Sequence, residues 1–150
     1  MATARAYEKF ALHLTKGEIA WQSASLRVAL LKNTYIPNAN THDIWGDIST
    51  HEVSGTGYAA GGATVTPSTP TQETLSIGVI TKLPCTNASW AALTATYRYV
   101  VVYVYNATAG LRYLVGYYDE GEDKTLNGQP LTVDFGDGVA ILAGATTQHN

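Results

Sequence analysis

Apolar residues alternate with polar or small residues along several short stretches of the chain, and this period of two predicts β-strands. In Leu26–Lys32 one face carries Leu26, Val28 and Leu30. The strongest pattern lies in Thr94–Tyr105, where both faces are apolar, as is typical of a strand covered on both sides. We predict one face with Val100, Val102 and Val104, and an opposite face with Tyr97, Tyr99, Val101, Tyr103 and Tyr105.

Shorter strands are predicted between turn residues in the rest of the chain. They cover Ala63–Thr66, Leu75–Ile80, Leu111–Tyr118 (with Leu111, Tyr113, Val115 and Tyr117 on one face), Leu131–Phe135 and Val139–Ala143. Asn127–Gly128 is typical of a hairpin turn, and further turns are predicted at Ala107–Gly110 and Gly136–Gly138. A short amphipathic helix near the N-terminus is predicted from the spacing of Tyr7, Phe10, Ala11 and Leu14.

These elements together predict a mainly β fold. We expect a single antiparallel β-sandwich or barrel-like domain over residues 1–150, with one short N-terminal helix. A long polar stretch, Asn33–Ser54, interrupts the strands, and we interpret it as an ordered excursion that Trp45 pins to the domain. The glycine-dense stretch Gly55–Gly62 follows it.

Composition and charge exclude several function classes. Only 14% of the 150 residues are charged, the net charge is −3, and the nine basic residues are too scattered for a nucleic-acid backbone. The longest apolar run, Tyr99–Tyr105, is far short of the roughly 18 residues of a membrane span, and Met1–Thr15 lacks the apolar core of a secretory signal. Because Cys85 is the only cysteine, no intrachain disulfide forms. We therefore expect no nucleic-acid partner and no membrane.

Two short motifs resemble nucleotide-handling signatures but stand in the wrong context. Gly55, Gly57 and Ala60 match a dinucleotide fingerprint, yet a strand follows them where that site needs a helix N-terminus. Asp134–Phe135–Gly136 spells the metal-binding triplet of kinases without the other kinase motifs, and we interpret it as a strand end and turn.

Titratable residues cluster twice without a recognised ligand spacing. The best metal-ligand candidates are His42, Asp43, Asp47 and His51, and an acidic run that could hold calcium comprises Asp119, Glu120, Glu122 and Asp123. Caps, turns and solvated loops use the same residue types, which is the interpretation we prefer. Cys85 has no recognisable histidine partner. We therefore expect no metal, no cofactor and no catalytic residues.

Three groups of segments carry a resemblance to a known family. The first is Val28–Lys32 with Tyr35–Asn38 and Thr41–Trp45; the second and most specific is Glu52–Gly62; the third is Gly116–Asp119 with Gly121–Lys124 and Leu131–Phe135. In this order the chain resembles small virion structural proteins of tailed bacteriophages, of the kind that decorate or cement the capsid. Such proteins carry no active site, so the resemblance implies a non-enzymatic role.

The resemblance implies a decoration or cement protein that stabilises the head shell. The expected partners are the major capsid protein and further copies of the chain, as a homotrimer or otherwise a dimer, because a shell offers local symmetry axes. The expected location is the capsid surface of the virion, after assembly in the host cytoplasm. The alternatives are a tail, neck or baseplate component, or a carbohydrate-binding β-sandwich module that stacks Trp21, Trp45 or Trp90 on sugar rings.

We place the contact surface in the segment Asn33–Gly62. It is polar but holds three aromatic residues, Tyr35, Trp45 and Tyr58, and aromatic anchors in a polar surround are typical of a binding hot spot. The competing interpretation is that Trp45 and Tyr58 only pin the segment to its own domain.

Overall fold

The computed structural model describes residues 3–76, 78–105, 110–136 and 140–143. Within these residues the helical elements are α1 (Phe10–Thr15) and short 3-10 turns at Trp21–Ser23, Trp45–Asp47 and Ser49–His51. The strands are β1 (Thr3–Ala6), β2 (Leu26–Leu31), β3 (Ala63–Val65), β4 (Thr71–Leu75), β5 (Gly78–Leu83), β6 (Ala88–Val104), β7 (Leu114–Val133) and β8 (Ala140–Ala143). Parts of three predicted elements lie outside the described residues. They are Ile77 of the predicted strand Leu75–Ile80, all but the last residue of the predicted turn Ala107–Gly110, and the last two residues of the predicted turn Gly136–Gly138.

The strands form two antiparallel sheets. The larger sheet has the order β1-β7-β6-β2-β3 and the smaller has the order β4-β5-β8. In the described part of the chain both sheets are open, with β1 and β3 at the edges of one and β4 and β8 at the edges of the other. The predicted mainly β, sandwich-like fold with one short helix is therefore confirmed, while the described strands do not form a closed barrel.

The centre of the larger sheet, formed by β2 and the second half of β6, is buried on both faces, and two separate cores result. The valine-side core includes Leu26, Val28, Leu30, Val100, Val102 and Val104. The tyrosine-side core includes Ala29, Leu31, Tyr35, Tyr99, Val101 and Tyr103. Each fully buried leucine or valine contributes about 1.5–3 kcal/mol to folding, so the two apolar faces of β6 provide a large share of the stability. The predicted alternation in Leu26–Lys32 is confirmed, and so is most of that in Thr94–Tyr105.

Tyr97 lies in the valine-side core, so its predicted place beside Tyr99 is wrong. The pairing of β6 with β7 is irregular here, because Tyr97 lies opposite Lys124 while Tyr99 lies opposite Asp119. Such a bulge shifts the alternation of side chains between the two faces. The last predicted member of that face, Tyr105, follows the end of β6 and is 37% exposed.

The predicted alternation in Leu111–Tyr118 is also broken. Tyr113 and Val115 contribute to the valine-side core, whereas Tyr117 packs against the tyrosine-side core and Leu111 is exposed. The cause is a second irregularity in the pairing of β6 with β7, between Val102 and Tyr103. An extra residue on one strand moves every later side chain to the opposite face.

Asn127–Gly128 does not form the predicted hairpin, because β7 runs through both residues. Leu93 lies opposite Gln129 and Ala95 lies opposite Leu126. Asn127 and Gly128 therefore both lie opposite the single residue Thr94. The Gly128 N–H donates to Thr94 Oγ1 at 2.8 Å, which holds this bulge in place. Pairing with the long strand β6 thus outweighs the local preference for a turn.

The predicted strand Leu75–Ile80 is instead the tip of a hairpin. Leu75 ends β4, Gly78 begins β5, and the two residues are paired. Strand β1 was not predicted at all. It is four residues long and all four are exposed, so it has no apolar pattern, and its pairing with β7 forms it.

Candidate interaction surface

The predicted contact residues Tyr35 and Trp45 are buried in the tyrosine-side core. Tyr35 is 1% exposed; its hydroxyl lies 2.7 Å from the Tyr7 hydroxyl and 3.1 Å from His42 Nδ1. Trp45 is 7% exposed and its ring stacks on Tyr103, with the centroids 4.4 Å apart. These contacts hold the segment Asn33–Gly62 against the sheet, as the competing interpretation proposed.

Tyr58 is half-buried and hydrogen-bonded on both sides. Its hydroxyl donates to Glu52 Oε1 at 2.8 Å and accepts from the Leu30 N–H at 3.1 Å, and burial raises the pKa of this phenol. Glu52 Oε1 also accepts the Gly61 N–H at 2.6 Å. The three predicted anchors thus serve their own domain in the structure, and their role in partner binding stays a prediction.

The side chains of the four residues in the predicted metal cluster interact with other groups of the chain. His42 contacts Tyr35, while Asp43 accepts from His13 and pairs with Lys9. The carboxylate of Asp47 accepts the backbone N–H groups of Asp43 at 2.9 Å and of Ile44 at 3.1 Å, which lowers its pKa. His51 Nδ1 lies 3.0 Å from Thr34 Oγ1. Across the described residues, no three histidine, cysteine, aspartate or glutamate side chains gather as metal ligands.

A buried histidine between two carboxylates is a feature that the sequence analysis missed. His13 is 7% exposed and its ring stacks on Tyr113. Its Nδ1 lies 2.5 Å from Glu18 Oε2 and its Nε2 lies 2.7 Å from Asp43 Oδ1. The hydrogen bond from His13, followed by that from Lys16, lowers the pKa of Glu18. This network ties α1 to the polar segment, and no short-range pattern could have shown it, because Asp43 is distant in sequence.

The helix itself differs slightly from the prediction. Phe10 is buried and Leu14 packs against the valine-side core, but Ala11 is exposed and Tyr7 lies before the helix begins. The stripe that faces the protein therefore includes His13 in place of Ala11. Each nitrogen of the imidazole has a carboxylate oxygen as its hydrogen-bond partner, which explains how a polar side chain occupies that face.

The acidic run lies within β7 and is not the predicted loop between strands. Asp119 accepts from Arg98 Nε at 3.0 Å, Glu122 pairs with Lys124, and Asp123 accepts from the Asn33 amide at 2.8 Å. Because each of these carboxylates has its own protein partner, the run does not gather its oxygens for a cation.

One concave region lies beside the valine-side core. This cavity has a volume of about 390 Å³, and its lining includes Val100, Val102, Phe135, Tyr97 and Glu120. Burial raises the pKa of Tyr97 to about 12 and raises the pKa of Glu120. Among the lining residues that the structure describes there is no histidine, cysteine or serine.

Cys85 is half-buried against the valine-side core and forms an isolated bridge with Pro67. Burial raises the pKa of its thiol to about 12. Since the thiolate is the reactive form, Cys85 is a poor nucleophile at neutral pH.

The smaller sheet presents one fully exposed strand, β4, to solvent. All five residues of β4 are exposed, and among the described strands β4 pairs only with β5. On β5, Leu83 is 3% exposed and belongs to the valine-side core, whereas Val79 is 45% exposed. The sheet is therefore anchored at the Leu83 end and presents Leu75 and Val79 to solvent at the other end. This exposed end, with the edge of β4 that pairs with no other described strand, is the candidate interaction surface.

The three tryptophans do not form the sugar-binding platform of the carbohydrate-binding alternative. Trp21, Trp45 and Trp90 are 6%, 7% and 7% exposed. The Trp21 indole N–H donates to the Ser68 carbonyl, and Trp90 stacks on Tyr58. A platform that stacks on sugars needs an exposed ring face, so these residues do not supply one.

The strand topology defines the class of protein: a sandwich-like domain of two antiparallel sheets. Comparison of the chain with protein-family models, with curated proteins and with solved structures gives no match. The fold class thus rests on the strands themselves, and membership in a virion protein family is a proposal. In the part of the chain that the structure describes, no helix is long and apolar enough to cross a membrane.

Proposed function

We propose that this chain is a non-enzymatic structural protein of a tailed-bacteriophage virion that decorates the capsid and stabilises the head shell. Its proposed partners are the major capsid protein and further copies of itself. The resemblance of Glu52–Gly62 and the neighbouring segments to such proteins supports the choice of virion. The single structural observation that supports a binding role is the smaller sheet, with its exposed strand β4 and its apolar end.

The edge of β4 is suited to contact with another chain. Among the described strands β4 pairs on one side only, and such a strand presents backbone N–H and C=O groups that an extended segment of a partner can pair with. The Glu73–Lys82 ion pair keeps one charged side chain of β4 within its own sheet. Leu75, 38% exposed, and Val79 then supply apolar area at the end of the same surface.

Repetition on a shell would make a weak contact sufficient. A homotrimer, or otherwise a dimer, that engages several capsid subunits together gains avidity by a factor on the order of 10²–10⁴ over a single contact. We therefore propose that the chain binds as a closed oligomer at a local symmetry axis of the capsid.

The first test is the copy number of the chain in purified virions, measured by quantitative mass spectrometry. Hundreds of copies per particle support a shell protein. A few dozen copies or fewer would instead assign the chain to the tail, neck or baseplate, and absence from the particle would refute a virion role.

The second test is binding of purified protein to heads that lack it. We expect wild-type protein to occupy its binding sites on the surface of the heads. A variant with both Leu75→Lys and Val79→Lys should occupy these sites at least tenfold less. The matched control is Leu12→Lys, since Leu12 is a 52% exposed leucine on α1, outside the smaller sheet. Exposed substitutions change stability by only about 0.5 kcal/mol, so all variants should fold. If the double variant reaches the occupancy of wild-type protein, the exposed end of the smaller sheet is not the capsid contact. Failure of wild-type protein to bind would refute the cement role.

A further inference from the structure

Two arginine side chains lie against one tyrosine ring at the end of the larger sheet. The guanidinium carbon of Arg27 is 4.1 Å from the centroid of the Tyr105 ring, and that of Arg112 is 4.3 Å from it. Strand pairing brings the three residues together, because Leu26 on β2 lies opposite Val104 on β6, and Tyr103 lies opposite Leu114 on β7. The three residues are called the Arg27–Tyr105–Arg112 cluster below.

The positive charges of this cluster are not neutralised by the described part of the chain. Six of the nine basic residues form ion pairs with carboxylates there, namely Arg5, Lys9, Lys16, Lys82, Arg98 and Lys124. Arg27 and Arg112 form no such pair with any described residue. The distances to the shared ring place their guanidinium carbons no more than about 8.4 Å apart, close to the Debye length at physiological salt, so screening weakens the repulsion between the two charges but does not remove it. A negatively charged ligand would relieve this repulsion.

The cluster also has unused hydrogen-bonding capacity. Arg27 Nε is buried and has no hydrogen-bond partner among the described residues. Stacking on a ring occupies the face of a guanidinium and leaves its N–H edge to donate, often in pairs, to the two oxygens of a carboxylate. Arg112 and Tyr105 are exposed, so a ligand can reach the cluster from solvent.

We propose that the Arg27–Tyr105–Arg112 cluster binds a carboxylate from an acidic segment of a partner protein. A protein carboxylate fits better than a nucleic-acid backbone, because the cluster supplies only two cations, and six of the other seven basic residues are paired with carboxylates in the described part of the chain. The inference is independent of the capsid role, since it rests only on the charges and contacts of these residues.

Nuclear magnetic resonance titration of the intact protein tests the site, with an end-blocked tetraglutamate peptide as the probe. We expect the side-chain Nε–H signals of Arg27 and Arg112 to shift on addition of the peptide, and a tetraglutamine peptide to leave them unchanged. Arg112→Gln should weaken binding by about tenfold, since it removes one bidentate donor at an exposed position. The matched control is Lys32→Gln, which removes the same charge at an exposed residue outside the cluster and should change binding by less than twofold.

Three results would overturn the proposal. One is the absence of any peptide-induced shift at the two arginines. Another is an equal loss of affinity in Arg112→Gln and Lys32→Gln, which would show attraction by net charge alone. The third is tighter binding of a short single-stranded oligonucleotide, or of inorganic phosphate, than of the tetraglutamate peptide, which would identify the site as one for phosphate. None of these measurements involves capsids, so their outcome is separate from that of the head-binding test.

Discussion

Gly62→Ala tests how closely two backbone segments approach within the glycine-dense stretch. Gly62 has a φ of +80°, and a Cβ added there would lie 2.0 Å from the Val28 carbonyl oxygen and 2.8 Å from the Ala29 Cα. Both neighbours are backbone atoms of the buried strand β2, so they cannot rotate away as a side chain could. Alanine at this position must push β3 from β2, starting at the paired residues Ala63 and Val28.

Gly17→Ala separates this contact from the cost of the backbone conformation. Gly17 has a similar φ of +75°, but an added Cβ would meet nothing within 4 Å. A left-handed conformation costs alanine about 1–2 kcal/mol, and the reduced freedom of the unfolded chain offsets about 0.4–1 kcal/mol of that. We expect a loss of about 1 kcal/mol for Gly17→Ala. Overpacking adds about 1–3 kcal/mol at Gly62, for a total of about 2–4 kcal/mol.

Urea unfolding measures both variants, followed by the fluorescence of the three buried tryptophans. With an m-value of about 2 kcal/mol/M, Gly62→Ala should lower the midpoint by about 1–2 M and Gly17→Ala by about 0.5 M. Equal shifts in the two variants would refute the reasoning, because they would show that the conformation alone, and not the approach to Val28, selects glycine.

Three further predictions concern the core, an acidic side chain and the cysteine. Val102→Asp places an unpaired charge in the valine-side core and should abolish soluble expression, whereas Val79→Asp at the exposed end of the smaller sheet should express normally; soluble, native-like Val102→Asp protein would contradict the strand assignment. Hydrogen bonds from the backbone N–H groups of Asp43 and Ile44 lower the pKa of Asp47 in the folded state. The Asp47 carboxylate therefore stabilises the folded protein at a pH above its unfolded pKa of about 3.9, and this contribution is lost as the pH falls through the folded pKa. Urea unfolding should therefore show wild-type protein more stable than Asp47→Asn at pH 7 and a difference that shrinks below about pH 4; a difference independent of pH would exclude this role. Burial raises the pKa of Cys85 to about 12, so a thiol reagent at neutral pH should modify it slowly in native protein and rapidly in urea, and equal rates would show that the thiol is accessible.

The sequence by itself determined the fold class and the two faces of its central strands. The alternation in Leu26–Lys32 and in most of Thr94–Tyr105 matches the two cores, because a period of two is a local property that needs no knowledge of the partner strand. The sequence also determined that Trp45 is buried, since a large apolar ring within a polar stretch is stabilised by packing against the domain.

Only the tertiary structure decided where the alternation changes face. Tyr97 and Val115 lie on their observed sides because β6 and β7 pair with irregular register, and a bulge depends on both strands together. Asn127–Gly128 shows the same competition, since a local turn preference of about 1 kcal/mol is smaller than the sum of the pairings along two long strands.

The interaction surfaces were also decided by the tertiary structure. The sequence placed contact residues at Tyr35, Trp45 and Tyr58, but aromatic residues favour a core as readily as an interface, and composition does not separate the two. His13 meets Asp43, and Arg27 meets Arg112 on one ring, only after the strands and the polar segment have been brought together. Contacts between residues distant in sequence leave no periodic pattern in the chain, and for that reason the folded structure alone places these charges.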